Sequence, residues 1–371
     1  MAKDFLHTRL CDMAGTRLPI YAFTPDREVA AAVSKAGGLG VLAGALRNLD
    51  ELERDIRWLR EQLGGTPFGI DLLLPSSSPP SGTTEELMAQ IPETHRAFVQ
   101  NLKEQNNIPA AKNPPMFYEL GWVNQDRARA QVDLVLEERI PVLAFGLGSP
   151  NFILEAAHAR GIKVFGLVGK PRQAEREIAA GVDAVIAQGS DAAGHTGNIG
   201  TFSIVPAVAA AAGDTPVLAA GGVTTGRHIA AALCLGAAGV WTGTIWLASK
   251  ESQKDPIIKR KIIDAGTDDT THSTCVSGFS MRVTKSKWTE AWAAPDATRP
   301  LAAPYQLLLA GELHQAATDY KIESFMLEAC GQGAGFVTEE KSVAEIMQTL
   351  EDEARAALDA VSSGTPLGAL S

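Results

Sequence analysis

Short apolar runs alternate with amphipathic segments along the first 250 residues of the chain. The runs occupy residues 18–23, 39–43, 68–74, 141–145, 163–167, 183–187, 216–220 and 239–242. Their length and near-continuous hydrophobicity are typical of strands buried on both faces. The intervening segments repeat apolar residues at helical spacing and often end at glycine, which predicts helices at 28–35, 50–63, 125–139, 151–160, 171–180, 203–212 and 225–235.

Eight strands that alternate with helices predict an α/β fold with a parallel sheet. The count of eight favours a closed TIM (β/α)8 barrel, although an open sheet stays possible. The rhythm is interrupted after the third strand, where residues 76–82 have a loop composition and residues 85–105 could form one long helix. Because strand and helix signals then resume, we expect an insertion over 76–125 rather than a domain boundary.

The alternation stops beyond residue 250. Residues 255–265, 305–315 and 342–361 have helical patterns, whereas 266–304 is polar and irregular. We therefore expect residues 1–265 to form the barrel domain. We expect residues 266–371 to supply helices and loops that flank the barrel mouth.

Composition argues against several classes of function. The chain has 371 residues, 45% hydrophobic and 20% charged, and its net charge of −10 disfavours a nucleic-acid partner. No basic amphipathic segment and no apolar run of about 18 residues indicates a membrane. The four cysteines and seven histidines lack metal-ligand spacing, so no metal is predicted. Scattered cysteines and the absence of a signal-peptide core predict a cytoplasmic protein.

One candidate for chemistry is the loop at 188–202, which follows the sixth apolar run. It carries a single imidazole, His195, preceded by Gly194 and followed by Gly197 and Gly200. A strand that ends in glycines and one polar side chain is how a β/α barrel presents a reactive group at its carboxyl rim. The alternative is a flexible loop with a solvated histidine.

Two glycine turns after the last two strands form a second candidate site. Gly221-Gly222 and Gly243-Thr244 end these strands about twenty residues apart. The loops after the seventh and eighth strands are the usual phosphate site of such barrels. The turns thus indicate a phosphorylated ligand or cofactor beside His195, unless the glycines serve only the steric needs of tight βα turns.

Several motifs together resemble the nitronate monooxygenase family, which includes flavin-dependent enoyl-ACP reductases of the same fold. The matching stretches are AAVSKAGGLGVLAG (31–44), PFGIDLLLP (67–75), AQGSDAAGHTG (187–197), LAAGGVTTGRHIAAALCLGAAGVWTGTIWLAS (218–249), GFSMR (278–282) and CGQGAGF (330–336). They stand in the family's order; the resemblance covers most of residues 17–285, and the stretch at 330–336 also fits. The combination is much more specific for the family than for a substrate.

The resemblance implies FMN, bound noncovalently at the carboxyl rim of a TIM barrel. His195 matches the family's active-site histidine. The positions implied to contact the cofactor are Gly221, Gly222, Gly243 and Thr244 for the phosphate, and Ala22, Phe23, Thr24, Asp71, Gln188 and Gly194 for the flavin and ribityl groups.

Three departures from the family pattern affect this site. Ala22-Phe23-Thr24 replaces Ala-Pro-Met, and Asp71 replaces asparagine on the third strand. Asp191-Ala192-Ala193-Gly194-His195 replaces Glu-Ala-Gly-Gly-His. Because an ionised aspartate only accepts hydrogen bonds, we expect Asp71 to serve flavin or ribityl donors but not an acceptor.

The leading hypothesis is FMN-dependent oxidative denitrification of alkyl nitronates or nitroalkanes with O₂. His195 would hydrogen bond the anionic nitronate or remove the α-proton of a neutral nitroalkane. The alternative is an NAD(P)H-dependent FMN reductase of enoyl thioesters or quinones. The implied partners are a small-molecule substrate, O₂ as electron acceptor and a second copy of the chain in a possible homodimer.

Two further hypotheses set nitronate chemistry aside. Lys170 follows the fifth strand, where a barrel aldolase could form a Schiff base with a sugar phosphate, although a solvated lysine is the simpler reading. The chain could also bind flavin without catalysing a reaction. His272, in the polar stretch, could line the barrel mouth.

Overall fold

Eight parallel strands close into a barrel in the computed structural model, which describes residues 4–74, 83–115, 125–148 and 150–365. In chain order the strands up to residue 242 are β1 (Ile20–Thr24), β2 (Leu39–Ala43), β3 (Gly69–Leu73), β4 (Val142–Gly146), β5 (Lys163–Val168), β6 (Ala184–Gln188), the two-residue β7 (Gly194–His195), β8 (Val217–Ala220) and β9 (Gly239–Thr242). All but β7 belong to the barrel, and β9 pairs with β1 to close it. The predicted TIM barrel is confirmed, and each predicted run overlaps one barrel strand.

Most of the helices pack around the outside of the barrel. In chain order they are α1 (Arg9–Ala14), α2 (Arg27–Lys35), α3 (Leu49–Leu63), α4 (Thr84–Ala89), α5 (Glu93–Gln105), α6 (Gln125–Glu137), α7 (Leu154–His158), α8 (Pro171–Ala180), α9 (Thr201–Ala212), α10 (Gly226–Cys234), α11 (Pro256–Ile263), α12 (Lys287–Ala293), α13 (Tyr305–Asp319) and α14 (Val343–Ser363). No described helix is both long enough and apolar enough to cross a membrane.

Alternate strand positions fill the barrel interior with apolar side chains. Tyr21 and Phe165 stack there with ring centroids 6.2 Å apart, and Trp241 belongs to the same cluster. The short helix α1, which the sequence analysis did not predict, closes the amino end. Its Leu10 joins the interior cluster, and the Leu10 carbonyl accepts a hydrogen bond from the Tyr21 hydroxyl at 3.0 Å.

The C-terminal helix α14 completes the ring of helices, although about a hundred residues separate it from β9. It packs against α10 and α2, and its buried face includes Ile346, Met347 and Leu350. Glu351 on this helix also accepts a hydrogen bond from Arg17 at 2.7 Å. Burial of each large apolar side chain is worth roughly 1.5–3 kcal/mol, against at most about 1 kcal/mol for a partly exposed ion pair, so apolar packing dominates.

The insertion after β3 differs from its predicted form. The single helix predicted over 85–105 is wrong, because the structure has two helices, α4 and α5, separated around Pro92. Proline has no N–H group and disfavours helical geometry in the residue before it, so it stops α4 and starts α5. Both helices pack against α13. The loop predicted at 76–82 lies outside the described residues.

The polar stretch 266–304, which we expected to be irregular, contains regular structure. Two antiparallel strands, β10 (Thr270–Ser273) and β11 (Met281–Thr284), form a hairpin, and α12 follows it. β11 also pairs with β7, which gives a three-stranded sheet in the order β10-β11-β7. The hairpin therefore reaches the loop beyond the carboxyl end of β6. The domain division at residue 265 stays a prediction, with α14 lying in the barrel wall.

Candidate active site

The loop that follows β6 folds back on itself before α9 begins. The Ser190 N–H donates to the Ile199 carbonyl at 2.8 Å, and Asp191 Oδ2 accepts from the Thr201 N–H at 2.9 Å. A carboxylate at a helix N-terminus satisfies an otherwise unpaired N–H group and complements the helix dipole. Gly189 is needed at the start of the loop, because a Cβ there would lie 2.2 Å from the Thr201 hydroxyl.

His195 stands within this loop, in β7, opposite Met281 of β11. Its Nε2 lies 2.8 Å from Ser277 Oγ, and its ring meets the Phe279 ring edge-on with centroids 5.7 Å apart. The residue is exposed to solvent, although Ser277 and Phe279 contact its ring. This partial desolvation lowers the pKa of His195, so the imidazole is neutral at pH 7.

The hairpin that contacts His195 is anchored by hydrogen bonds from α12 and α13. The Cys275 carbonyl accepts hydrogen bonds from Trp288 Nε1 at 3.0 Å and from Gln306 Nε2 at 2.7 Å, and both donors are buried. On the other side, Arg282 Nε donates to the Ser190 carbonyl at 2.8 Å. These bonds tie the hairpin to α12, α13 and the loop after β6.

His272 also joins the hairpin to the loop. Its Nε2 lies 2.9 Å from Thr196 Oγ1 and 3.1 Å from Ser280 Oγ. Burial, and then the charge of Arg282, lower the pKa of His272. Its ring nitrogen is thus engaged in holding the two segments together, and a role in lining the barrel mouth stays a prediction.

The glycine turn after β8 packs directly against the loop that carries His195. Gly221 and Gly222 have φ angles of 109° and 72°, a region that residues with side chains rarely adopt. A Cβ on Gly221 would lie 2.6 Å from Thr201 Oγ1 and 3.0 Å from the Ala192 nitrogen. Glycine is therefore required here, both for backbone conformation and for close packing.

The turn after β9 leaves room and donors for a ligand. The N–H groups of Gly243 and Thr244 in this turn have no hydrogen-bond acceptor among the described residues, and neither has the N–H group of Gly222 in the turn after β8. The nearest atom to a Cβ placed on Gly243 is 3.9 Å away, in the Phe23 carbonyl. Unpaired backbone N–H groups beside open space are the features that bind phosphate in glycine turns.

A segment at residues 331–336 lies over the turn after β9. The Gly331 N–H donates to Thr244 Oγ1 at 2.9 Å, and the Gln332 N–H donates to the Asp191 carbonyl at 3.0 Å. A short 3₁₀ helix, Gln332–Phe336, follows. The segment thus connects the turn after β9 with the loop after β6. In the sequence analysis it contributed only to the family resemblance.

The three β1 residues expected beside the flavin have different orientations. The Phe23 ring faces the barrel interior, with its centroid 6.2 Å from that of Trp241. Ala22 belongs to the core cluster outside the barrel. Thr24 is buried, and its hydroxyl accepts a hydrogen bond from the Asp26 N–H at 3.0 Å. Only Phe23 therefore presents its side chain to the interior.

Gln188 and Gly194 lie on the loop side of the same rim. Gln188 ends β6 two residues after Ile186, which belongs to the interior cluster, so its half-buried side chain faces inward. Gly194 has a φ of 69°, and a Cβ there would meet nothing within 4 Å. The roles of these residues toward a cofactor stay predictions.

Asp71 is buried inside the barrel, with 7% of its surface exposed. It is in register with Ala43 and Ala144, and Ala144 belongs to the interior cluster. No described residue hydrogen bonds to its carboxyl group, and burial raises the pKa of Asp71 to about 8. The expectation that Asp71 can only accept hydrogen bonds is therefore wrong. At pH 7 the carboxyl group is protonated and can also donate.

Lys170 is exposed at the residue before α8. This setting is that of a solvated lysine rather than of the desolvated amine that Schiff-base chemistry requires. Within the described residues, no group of three His, Cys, Asp or Glu side chains could hold a metal ion.

A family model described as nitronate monooxygenase matches residues 18–353, which span the barrel, the hairpin and the first half of α14. The chain belongs to the nitronate monooxygenase family. It is 38% identical over 323 residues to an inferred monooxygenase of Mycobacterium tuberculosis, covering 84% of this chain and 86% of that protein. It is 30% identical over 327 residues to an inferred nitronate monooxygenase of Staphylococcus aureus, covering 84% and 87%.

Solved structures of the same fold include oxidases and reductases. A nitroalkane oxidase from Streptomyces ansochromogenes has a TM-score of 0.79 at 28% identity, covering 95% of this chain and 99% of that one. FabK from Thermotoga maritima has a TM-score of 0.73 at 27% identity, covering 96% and 99%. This member of the nitronate monooxygenase family is therefore an oxidoreductase that acts on a small-molecule substrate.

No sequence pattern identified Ser277, Arg282 or Gly331 as parts of the site. A weak signal for the hairpin existed, because β-branched residues flank Gly278 at 270–271 and 283–284. Polar residues between them hid the pattern, since neither strand alternates clearly. The contacts of these residues with the loop after β6 join positions about 80 to 140 residues apart, which no local pattern reveals.

We predict that Asp71 makes the protein less stable as the pH rises. Its pKa is about 8 when folded and 3.8 in the reference state, so the folded chain binds the proton more tightly. The stabilisation from this tighter proton binding is fully present below about pH 4. Between about pH 4 and pH 8 it is lost, and the free energy of unfolding falls by roughly 1.4 kcal/mol per pH unit. Urea unfolding of the wild type and Asp71→Asn at several pH values gives the free energy of unfolding of each protein. As the pH rises, we expect the wild type to lose stability relative to the variant.

The asparagine variant is the control for this prediction, because its amide has the carboxyl group's shape but does not titrate. A stability difference between the two proteins that stays constant from pH 5 to pH 8 would contradict a buried, protonated Asp71.

Proposed function

We propose that this chain binds FMN at the carboxyl rim of its barrel and oxidises alkyl nitronates with O₂ as the electron acceptor. The observation that carries the proposal is the juxtaposition of two features on one rim. A neutral, accessible imidazole, that of His195, is held by the hairpin. The glycine turn after β8, with unpaired N–H groups near it, packs against the loop that carries this imidazole.

The residues present fit the phosphate end of FMN. The N–H groups of Gly222, Gly243 and Thr244 would donate to phosphate oxygens, and the open space at Gly243 would admit them. Asp71 and Gln188 face the interior at or near the same rim, where they would hydrogen bond to polar atoms of the flavin or ribityl chain. A protonated Asp71 supplies a donor there, as the amide of asparagine would.

When bound, FMN would supply the redox chemistry, accepting electrons from the substrate and passing them to O₂. The chain's own contribution is to bind and orient the substrate. Neutral His195 can donate a hydrogen bond from its ring N–H group to the negatively charged nitro group of a nitronate. Its neutrality at pH 7 follows from the desolvation that lowers its pKa.

A second candidate is an NAD(P)H-dependent FMN reductase of enoyl thioesters or quinones. The similarity to FabK, over 96% of this chain, is the observation that favours it. The same rim would serve this reaction, since both need a flavin and an accessible second substrate. Rapid bleaching of the flavin by NADH without a nitronate would support the reductase over the oxidase.

Gly243→Ala should weaken FMN binding without unfolding the protein. A Cβ at this position has no protein atom closer than 3.9 Å, so the fold tolerates it, but it would fill the space that the phosphate needs. We expect the affinity for added FMN to fall at least about tenfold, which corresponds to about 1.4 kcal/mol. Fluorescence titration of the apoprotein gives the affinity, and thermal unfolding of the apoprotein checks the fold. An unchanged affinity would contradict binding of the FMN phosphate at Gly243.

His195→Asn should keep the flavin and lose most nitronate turnover. Asparagine has no second ring nitrogen for the Ser277 hydroxyl to hold, so its amide donor is not fixed as the imidazole N–H is, and loss of one preorganised donor costs about 10²- to 10³-fold in kcat. The measurement is steady-state oxygen consumption with an alkyl nitronate, per mole of bound flavin. His158→Asn is the matched control, because His158 is exposed and paired with Asp183 at 2.9 Å. Normal turnover in His195→Asn would remove this histidine from the reaction.

A further inference from the structure

The Ser277 hydroxyl is the only described partner of the His195 ring nitrogens, and its geometry limits the tautomer of that ring. Ser277 is buried, with 4% of its surface exposed. Its Oγ lies 2.8 Å from His195 Nε2, 3.4 Å from the Phe279 carbonyl and 3.6 Å from Met281 Sδ. The same oxygen accepts from the Phe279 N–H at 3.3 Å.

A serine hydroxyl has one hydrogen to donate, so these contacts compete. The 2.8 Å contact to His195 Nε2 has the length of a good hydrogen bond, whereas the carbonyl and sulfur contacts are long. If Nε2 carried the proton instead, Ser277 Oγ would accept two N–H groups and its own hydrogen would be left with a poor partner. The better arrangement has Ser277 donating to an unprotonated Nε2.

This arrangement decides what the other nitrogen of His195 can do. A neutral imidazole carries one proton, so an unprotonated Nε2 places it on Nδ1. Nδ1 has no partner among the described residues, and the residue is exposed to solvent. His195 therefore presents a hydrogen-bond donor, rather than a base, to whatever enters the site.

We propose that Ser277 holds His195 as the Nδ1–H tautomer and thereby makes the site select anionic nitronates over neutral nitroalkanes. This inference rests on the proposed function. A nitronate bears negative charge on its nitro oxygens and needs only a donor. Oxidation of a neutral nitroalkane first requires loss of the α-proton, and neither ring nitrogen is free to take it.

The structure keeps Ser277 in place for this role. Two residues before it, the Cys275 carbonyl accepts hydrogen bonds from the buried Trp288 and Gln306 side chains. On its other side the chain enters β11, which pairs with β7 at His195. Ser277 thus lies in the turn of the hairpin whose strand β11 pairs with His195, so the backbone of the two segments sets the position of the hydroxyl relative to the imidazole. Ser277 is a positioning residue that acts through His195.

The first test reads the tautomer directly. Nitrogen-15 NMR of the histidine ring in the FMN-loaded protein, with the His195 signals assigned by their absence in His195→Asn, should show an unprotonated Nε2 and a protonated Nδ1. Ser277→Ala should lose this preference, and Ser277→Thr, which keeps the hydroxyl, should restore it. Ser280→Ala is the matched control, because Ser280 contacts His272 on the same hairpin. Its His195 signals should be unchanged.

The second test measures selectivity. In Ser277→Ala, the ratio of kcat/KM for an alkyl nitronate to that for its parent nitroalkane should fall at least about tenfold, because Nδ1 becomes free to act as a base. A protonated Nε2 in the wild type, or a tautomer and ratio unchanged in Ser277→Ala, would overturn the proposal. Absence of turnover with both substrates would overturn the proposed function and the selectivity together, while the nitrogen shifts would still decide the tautomer.

Discussion

The pairing of β7 with β11 is the constraint on which the candidate site depends. In a barrel without the hairpin, the glycine-rich loop after β6 would have no strand to pair with, and His195 would not be held in place. The antiparallel pairing fixes Gly194 and His195 against the hairpin, and Ser277 then meets the ring at 2.8 Å. The site is therefore assembled from the barrel and from a hairpin that follows it in sequence.

This assembly explains why about a hundred residues separate β9 from α14. The stretch between them supplies α11, the hairpin, the helices α12 and α13 that anchor it, and the Gly331 segment, which contacts the turn after β9. α14 then returns to the barrel wall and packs on α10 and α2. The segments that contact the candidate site thus lie between the last strand and the last helix, and the order of strands in the barrel is uninterrupted.

The barrel could be predicted because buried parallel strands leave a local record in the sequence. Each strand is an apolar run, and most helices start or end at recognisable residues, as α8 does at Pro171 and Gly181. The hairpin could not be predicted in this way. Its strands are short and polar, and their pairing with β7 depends on contacts distant in sequence.

The same distinction holds within the site. His195 and the glycine turns were identified from their positions after strands, and the structure places the turn after β8 against the His195 loop. Ser277 was missed because its importance lies in a contact with a residue 82 positions away. The protonation of Asp71 was misjudged because it follows from burial without a partner, which the sequence does not report. Residue type alone suggested an ionised carboxylate.

Nitronate oxidation by a bound flavin can be checked in one experiment, the visible spectrum of the purified protein recorded without oxygen while an alkyl nitronate is added. We expect a flavin spectrum that changes to a reduced form on addition of the nitronate, with no NAD(P)H present. A flavin spectrum indifferent to the nitronate would contradict nitronate oxidation and favour the reductase. A protein that stays colourless even after FMN is added would contradict the cofactor site itself.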